Sequence, residues 1–109
     1  MMDSDGVIQY WSSGAEKLFG HDAASALGQT LDLIVPEDKR ERHWTGYKAA
    51  LARGSTTIDQ PAANLPVLCR DGTVTRFAGR LIFLRDARNE SLGALGIFAS
   101  TADESLPNL

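Results

Sequence analysis

The chain lacks most of the features that announce a chemistry. It carries one cysteine, Cys69, in 109 residues, so no internal disulfide can form and the core alone must hold the fold. It has no excess of positive charge: 11 Lys and Arg stand against 14 Asp and Glu, a net charge of -3. General attraction to nucleic acid or to an anionic membrane surface is therefore not expected. No apolar run approaches the ~20 residues of a membrane span, and no signal-peptide pattern is present. Nucleophile signatures are missing as well. Ser12, Ser13 and Cys69 have no Gly-x-Ser-x-Gly or Cys-His context, and His21 and His43 fall in different elements. Asp22, Asp32 and Glu37 sit at turns and helix starts, where capping accounts for them. Neither enzymatic activity nor a metal site is expected within these residues.

What is present is the profile of one globular domain, with 43% hydrophobic and 23% charged residues. A chain of this size buries roughly 60 to 70% of its unfolded surface, enough for a core without staples. It is expected to be soluble and cytoplasmic.

Periodicity divides the chain into a helix-rich half, about 13 to 53, and a strand-rich half, about 56 to 101. Asp3-Ser4-Asp5-Gly6 signals a turn, residues 1 to 4 read as the end of an earlier strand, and Val7-Ile8-Gln9-Tyr10-Trp11 reads as a strand. Ser13-Gly14-Ala15-Glu16 has capping-box spacing and Gly20 stands at a helix C-cap, so a two-turn helix is expected between them. Short turns follow near 23 to 27 and 30 to 35. The main helix starts at Pro36-Glu37-Asp38 and runs to about residue 53 with Gly54 as its cap. His43, Trp44, Tyr47, Ala50 and Leu51 share one face of it, while Lys39, Arg40, Glu41, Lys48 and Arg53 are expected to point outwards. Strands are expected at about 57 to 69, 73 to 86 and 92 to 101, as a meander with a tight hairpin at Arg70-Asp71-Gly72-Thr73. The period of two puts Ala63, Leu65, Val67 and Cys69 on one face, and Phe77, Gly79, Leu81 and Phe83 on the same face of the next strand.

With these residues in order, the chain resembles the PAS sensory domain family from Asp3 to about Ala102. The resemblance is carried by Asp5-Gly6-Val7-Ile8-Gln9-Tyr10-Trp11-Ser12, Ala15-Glu16-Lys17-Leu18-Phe19-Gly20, Leu27-Gly28-Gln29, Leu33-Ile34-Val35-Pro36 and Arg70-Asp71-Gly72-Thr73. It implies an α+β fold, a five-stranded antiparallel sheet with helices packed on one face. Residues 1–102 would form a single sensory domain, and 103–109 an exit segment toward an attached output domain. Two positions depart from the family's pattern: Ser12 stands where Asn is frequent, and Ser100-Thr101-Ala102 replaces the closing Asp-x-Thr motif. The short first strand suggests a polypeptide that extends upstream.

The resemblance further implies a ligand cavity between sheet and long helix, holding a small organic molecule. Its candidate lining is Trp11, His43, Trp44, Tyr47, Leu65, Val67, Phe77, Gly79 and Leu81. Gly79, a glycine inside a strand, would leave a gap in the wall. His43, seven residues after Pro36, resembles the axial histidine of haem-binding PAS domains in oxygen-sensing kinases, which makes a haem gas or redox sensor the alternative. The position matching a distal arginine falls near Ala63, which is apolar. A flavin is not expected, because the light-sensing members need an Asn-Cys-Arg motif on a helix and Cys69 instead precedes a hairpin. A ligand-free interaction module is the third possibility, with Leu68, Ile82 and Leu84 making an apolar outer face for a homodimer.

Overall fold

A computed structural model describes residues 1–52 and 62–109. Its helices are α1 (Ser13–Phe19), α2 (Ala23–Ala26) and α3 (Arg40–Ala52), with 3-10 turns at Leu31–Leu33 and Glu37–Lys39. Its strands are β1 (Ala63–Leu68), β2 (Val74–Arg85) and β3 (Ser91–Phe98), paired antiparallel in that order. The fold is α+β, a sheet with helices on one face. Of the five strands expected, three run at length. The other two are single bridges, Met2 to Ala94 and Met2 to Ile8, which carry the order outward as Ile8, Met2, β3, β2, β1. The Asp3 to Gly6 turn consumes the residues between them: Asp3 Oδ1 accepts from the amides of Asp5 and Val7, and Gly6 takes a left-handed φ of 80°.

Register confirms the alternation in the strands. Leu65 faces Phe77, Ala63 faces Gly79, Leu81 faces Gly96 and Phe83 faces Ala94, so these residues share the inner face. The hairpin stands where expected, with Gly72 at φ 87° and Asp71 Oδ1 accepting from both the amide and the hydroxyl of Thr73. The portion of the first long strand expected at residues 57 to 61, and the Arg53 and Gly54 helix end, lie outside the described residues.

Two helix starts differ from expectation. Ser12, not Ser13, caps α1, accepting from the Ala15 amide, and Gly20 closes it at φ 87°. Glu16 then lies one residue too far to reach back, and instead accepts from the Ala23 amide, tying α1 to α2. The long helix begins as a 3-10 turn at Glu37–Lys39 before α3. Arg40, expected to point outwards, folds back to donate to the carbonyls of Val35 and Asp32 at the turn before the helix.

The core is built against the inner face of the sheet. One cluster joins Ile8, Trp11, Phe19, Ala26 and Ile34 to Val67 and Phe77; a second joins Met2, Tyr47 and Ala94, with Trp44, Leu51 and Phe83 packed on it. On β1 the residue between two inward positions, Asn64, is also buried, although it is polar. Residues 103–109 cover it. Its side-chain nitrogen donates to the Asp103 and Leu106 carbonyls and to Asn108 Oδ1, and its oxygen accepts from the Asp103 amide at 2.8 Å. Its backbone adds two bonds, to the Pro107 carbonyl and from the Leu109 amide. The segment after β3 is thus clasped along the free edge of β1.

Candidate functional site

Between α3 and the inner face of β1 and β2 lies a cavity of about 390 Å³, within the ~300–1,000 Å³ usual for small-molecule sites. Leu31, Ile34 and Val35 close it from the 3-10 turn, Leu65 and Val67 line it from β1, and Gly79, Leu81, Phe83 and Phe98 line it from β2 and β3. The helix contributes Lys39, Arg42, His43, Gly46 and Tyr47. Of the residues expected to line a pocket, His43, Tyr47, Leu65, Val67, Gly79 and Leu81 meet here. Three do not.

Trp44 points to the side, where its indole nitrogen donates to Asp32 Oδ1 at 2.6 Å and its ring lies over Gly6. That glycine has no room for a side chain, so Trp44 fastens α3 to the N-terminal turn. Phe77 is core, packed edge-on against Phe19 at 5.4 Å. Trp11 lines a second cavity of about 550 Å³ along α1 and β3, and its indole nitrogen donates to the His21 carbonyl. Leu31, Ile34, Leu81 and Phe98 border both cavities and form the partition between them. The α3 cavity is the better site, because Lys39, Arg42, His43 and Tyr47 converge on an apolar wall there.

Gly79 does not leave the expected gap. A Cβ there would stand 2.8 Å from Phe98 Cδ1 and 3.0 Å from the Ile97 carbonyl oxygen, and one on Gly96 would stand 2.9 Å from Phe98 Cε2. The two glycines are the seat on which the Phe98 ring rests. Phe98 was missing from the expected lining, although the period of two puts it on the inner face beside both glycines. Lys39, Arg42 and Gly46 lie beyond the aromatic stripe of α3, and a lysine at a helix start has the same sequence signature as one in solvent.

His43 is the least settled group of the wall. Its ring stands edge-on to Trp44 at 4.8 Å and parallel to Tyr47 at 6.4 Å, and its Nδ1 is buried with no hydrogen-bond partner among the described residues. Burial lowers the imidazole below its ordinary value and so favours the neutral ring, while the Asp32 carboxylate pulls the other way. Tyr47 is spoken for: its hydroxyl donates to the Asp3 carbonyl at 2.7 Å, and burial, with the carboxylates of Asp3 and Asp5, pushes it up to about 12. A neutral imidazole with an unused nitrogen at an apolar cavity can bind a ligand or a metal centre. Cys69, half-buried beside the hairpin, lies outside the α3 cavity.

An antiparallel sheet with a helical layer and a cavity on its inner face defines an α+β class of domain that known proteins share. A family model described as the PAS fold matches residues 1–105, and the chain belongs to that family. Over 59 residues, 54% of this chain and 11% of the relative, it is 37% identical to the sensor protein FixL of Bradyrhizobium diazoefficiens. Over 101 residues, 84% of this chain and 13% of the relative, it is 23% identical to the oxygen sensor protein DosP of Escherichia coli. The chain spans only a small part of these relatives' length. Among solved structures it is similar to the PAS domain of a Colwellia psychrerythraea protein, with TM-score 0.74 and 22% identity over 89% of this chain and 79% of that one. The light state of the blue-light photoreceptor Aureochrome1 LOV gives TM-score 0.71 at 21% identity, over 95% and 80%. VqmA bound to DPO gives 0.68 at 14% identity, over 95% and 50%. These likenesses establish the fold. This is a PAS sensory domain similar to domains of sensor proteins, and among its described residues no helix is long and apolar enough to cross a membrane.

Proposed function

We propose that this domain binds a small, largely apolar or amphipathic molecule in the α3 cavity and thereby modulates an attached output domain. The observation that carries the reading is the α3 cavity itself, about 390 Å³ between the apolar side chains of β1 and β2 and a helix side carrying Lys39, Arg42 and His43. An apolar pocket with a few polar groups at its edge is the form that a small-molecule site takes. The kinship with a sensor protein and an oxygen sensor protein supports a signalling role, and a protein of the same fold is seen with DPO bound. Signal transfer has a short route. Strand β1 presents Leu65 and Val67 to the cavity and holds residues 103–109 through Asn64, so a ligand that shifts β1 changes the grip on the exit segment. Homodimerisation through the outer face belongs to the same proposal: Val74 and Ile97 are exposed there, beside the half-buried Ile82 and Leu84. Native mass spectrometry of the purified domain tests the reading. A bound mass released on denaturation is expected. No adduct, together with no thermal shift from a panel of amphipathic compounds, would count against it.

The haem reading has one observation in its favour, His43 on the cavity wall. The donor type fits: His43 lines the cavity among Leu65, Val67, Leu81 and Phe83, imidazole is a usual axial ligand of haem iron, and the relative DosP is an oxygen sensor. His43 would hold the iron, and haem when bound would supply a centre that takes a diatomic gas. Leu65, Val67, Leu81 and Phe83 would keep water from its faces, and Ala63 offers no polar group of its own. An absorbance band near 400 nm, roughly where haem proteins absorb, in protein expressed with added iron and lost in His43→Ala, decides for haem. Colourless protein that takes up no added haem decides against it.

A further inference from the structure

We propose that the α3 cavity takes an amphipathic acid, with its apolar body against β1 and β2 and its carboxylate between Lys39, Arg42 and His43. The inference rests on the reading that this cavity is the ligand site, and adds the chemical class of the ligand. The chain as a whole is acidic, with 14 carboxylates against 11 basic residues. Yet among the described residues every charged side chain lining the cavity is basic: Lys39 and Arg42, with Arg80 at the edge on the outward register of β2. Composition alone would favour the opposite sign.

The arrangement on the helix is equally particular. Lys39 ends the 3-10 turn that leads into α3, Arg42 and Gly46 stand at i and i+4 on α3 with His43 beside them, and all four line the cavity. Neither the Lys39 nor the Arg42 side chain has an ion-pair or hydrogen-bond partner among the described residues, whereas the neighbouring Arg40 is fully used on two carbonyls. Arg42 is exposed and Lys39 half-buried, so their charges sit at the mouth and not in the apolar depth. His43, half-buried, lines the cavity beside them, and its Nδ1 has no hydrogen-bond partner among the described residues.

Gly46 adds volume at the same place. Glycine inside a helix is less favourable than alanine by about 1 kcal/mol, and here no packing demands it: a Cβ built on Gly46 meets nothing within 4 Å. Gly46 is exposed and lies at the open side of the cavity. A basic mouth, an imidazole beside it and a helix face cut back to the backbone together suit a carboxylate head followed by an apolar body, since charge-assisted hydrogen bonds are the strong ones where water is scarce.

Isothermal titration of the full chain with octanoate and with 1-octanol tests this, because the two probes share an apolar body and differ in charge. Octanoate is expected to bind at least ~10-fold more tightly, the scale of one charge-assisted contact. In K39Q/R42Q that advantage should fall by at least ~10-fold while 1-octanol changes by less than about twofold. In the unaltered protein, raising the salt concentration should weaken octanoate and leave 1-octanol unaffected, which keeps the test open if the double variant does not fold. Equal binding of the two probes, or an octanoate preference that survives K39Q/R42Q and high salt, overturns the acid assignment while leaving the cavity as a ligand site. Binding of neither probe to the unaltered protein overturns both.

Discussion

Asn64 on β1 and His43 on α3 both place polar atoms out of reach of water, and they are treated in opposite ways. Every hydrogen-bonding atom of the Asn64 amide is used, on Asp103, Leu106 and Asn108. His43 Nδ1 has no partner among the described residues. Around Asn64 the chain closes over the side chain; around His43 it leaves about 390 Å³ open and a helix glycine with nothing against it. A buried polar group that is fully satisfied holds a structure together, and one left unsatisfied beside open space is available to something else. Both lie within reach of β1, so the strand joins a closed clasp to an open site.

The comparison can be broken most severely at the clasp. Asn64→Ala removes four side-chain hydrogen bonds and takes the partner from the Asp103 amide and the Leu106 carbonyl; the expected loss is on the order of 2–3 kcal/mol in urea unfolding. Hydrogen exchange at the Leu109 amide, which donates to the Asn64 carbonyl, should rise at the same time. If stability and exchange both stay unchanged, the segment is not held by Asn64. Next in size is Gly79→Leu, which drives a side chain into the Phe98 ring and the Ile97 carbonyl and should cost about 1–3 kcal/mol. A stable Gly79→Leu protein would mean that Phe98 moves aside easily and the partition between the two cavities is soft.

Changes on the open side should be milder, and one should be favourable. Gly46→Ala is expected to raise stability by about 0.5–1 kcal/mol, because it improves helix propensity without meeting a neighbour. The smallest effect is in pH. The folded-state value of His43 lies below its unfolded value of about 6.5, so the unfolded chain binds the extra proton first. Stability should therefore decline as pH falls below about 6.5, and His43→Gln should remove that part of the decline. An identical pH profile in the variant would place the imidazole in contact with water.

The sequence made the scaffold legible because periodicity and turn chemistry are local. The Asp71-Gly72 hairpin, the Gly20 cap and the inward faces of β1 and β2 all follow from spacing, and the family resemblance added the cavity. The two N-terminal strands shrank to bridges because a turn with an Asp3 cap leaves little chain between Met2 and Ile8. Trp44 was placed on the right helix face, but only the fold brings Asp32 and Gly6 to it. Phe98 could have been found from its alternation with Gly96. Asn64 could not: a polar residue on the outer face of an edge strand reads as solvated, and what buries it arrives from some forty positions away, as its bonds to Asp103 and Asn108 record. Lys39 and Arg42 were illegible for the complementary reason, since a charge beside a cavity has the same sequence signature as one in solvent.

The central claim is that the α3 cavity, and not the larger space along α1, receives the ligand. Amide chemical-shift mapping with octanoate addresses it residue by residue. The largest shifts are expected at Gly46, Tyr47, Leu65, Val67 and Gly79, with a smaller response at Asn64 and Leu109 as β1 passes the change to the clasp. Shifts centred instead on Gly14, Ala15, Leu95 and Ser100, which line only the cavity beside α1, would contradict the claim.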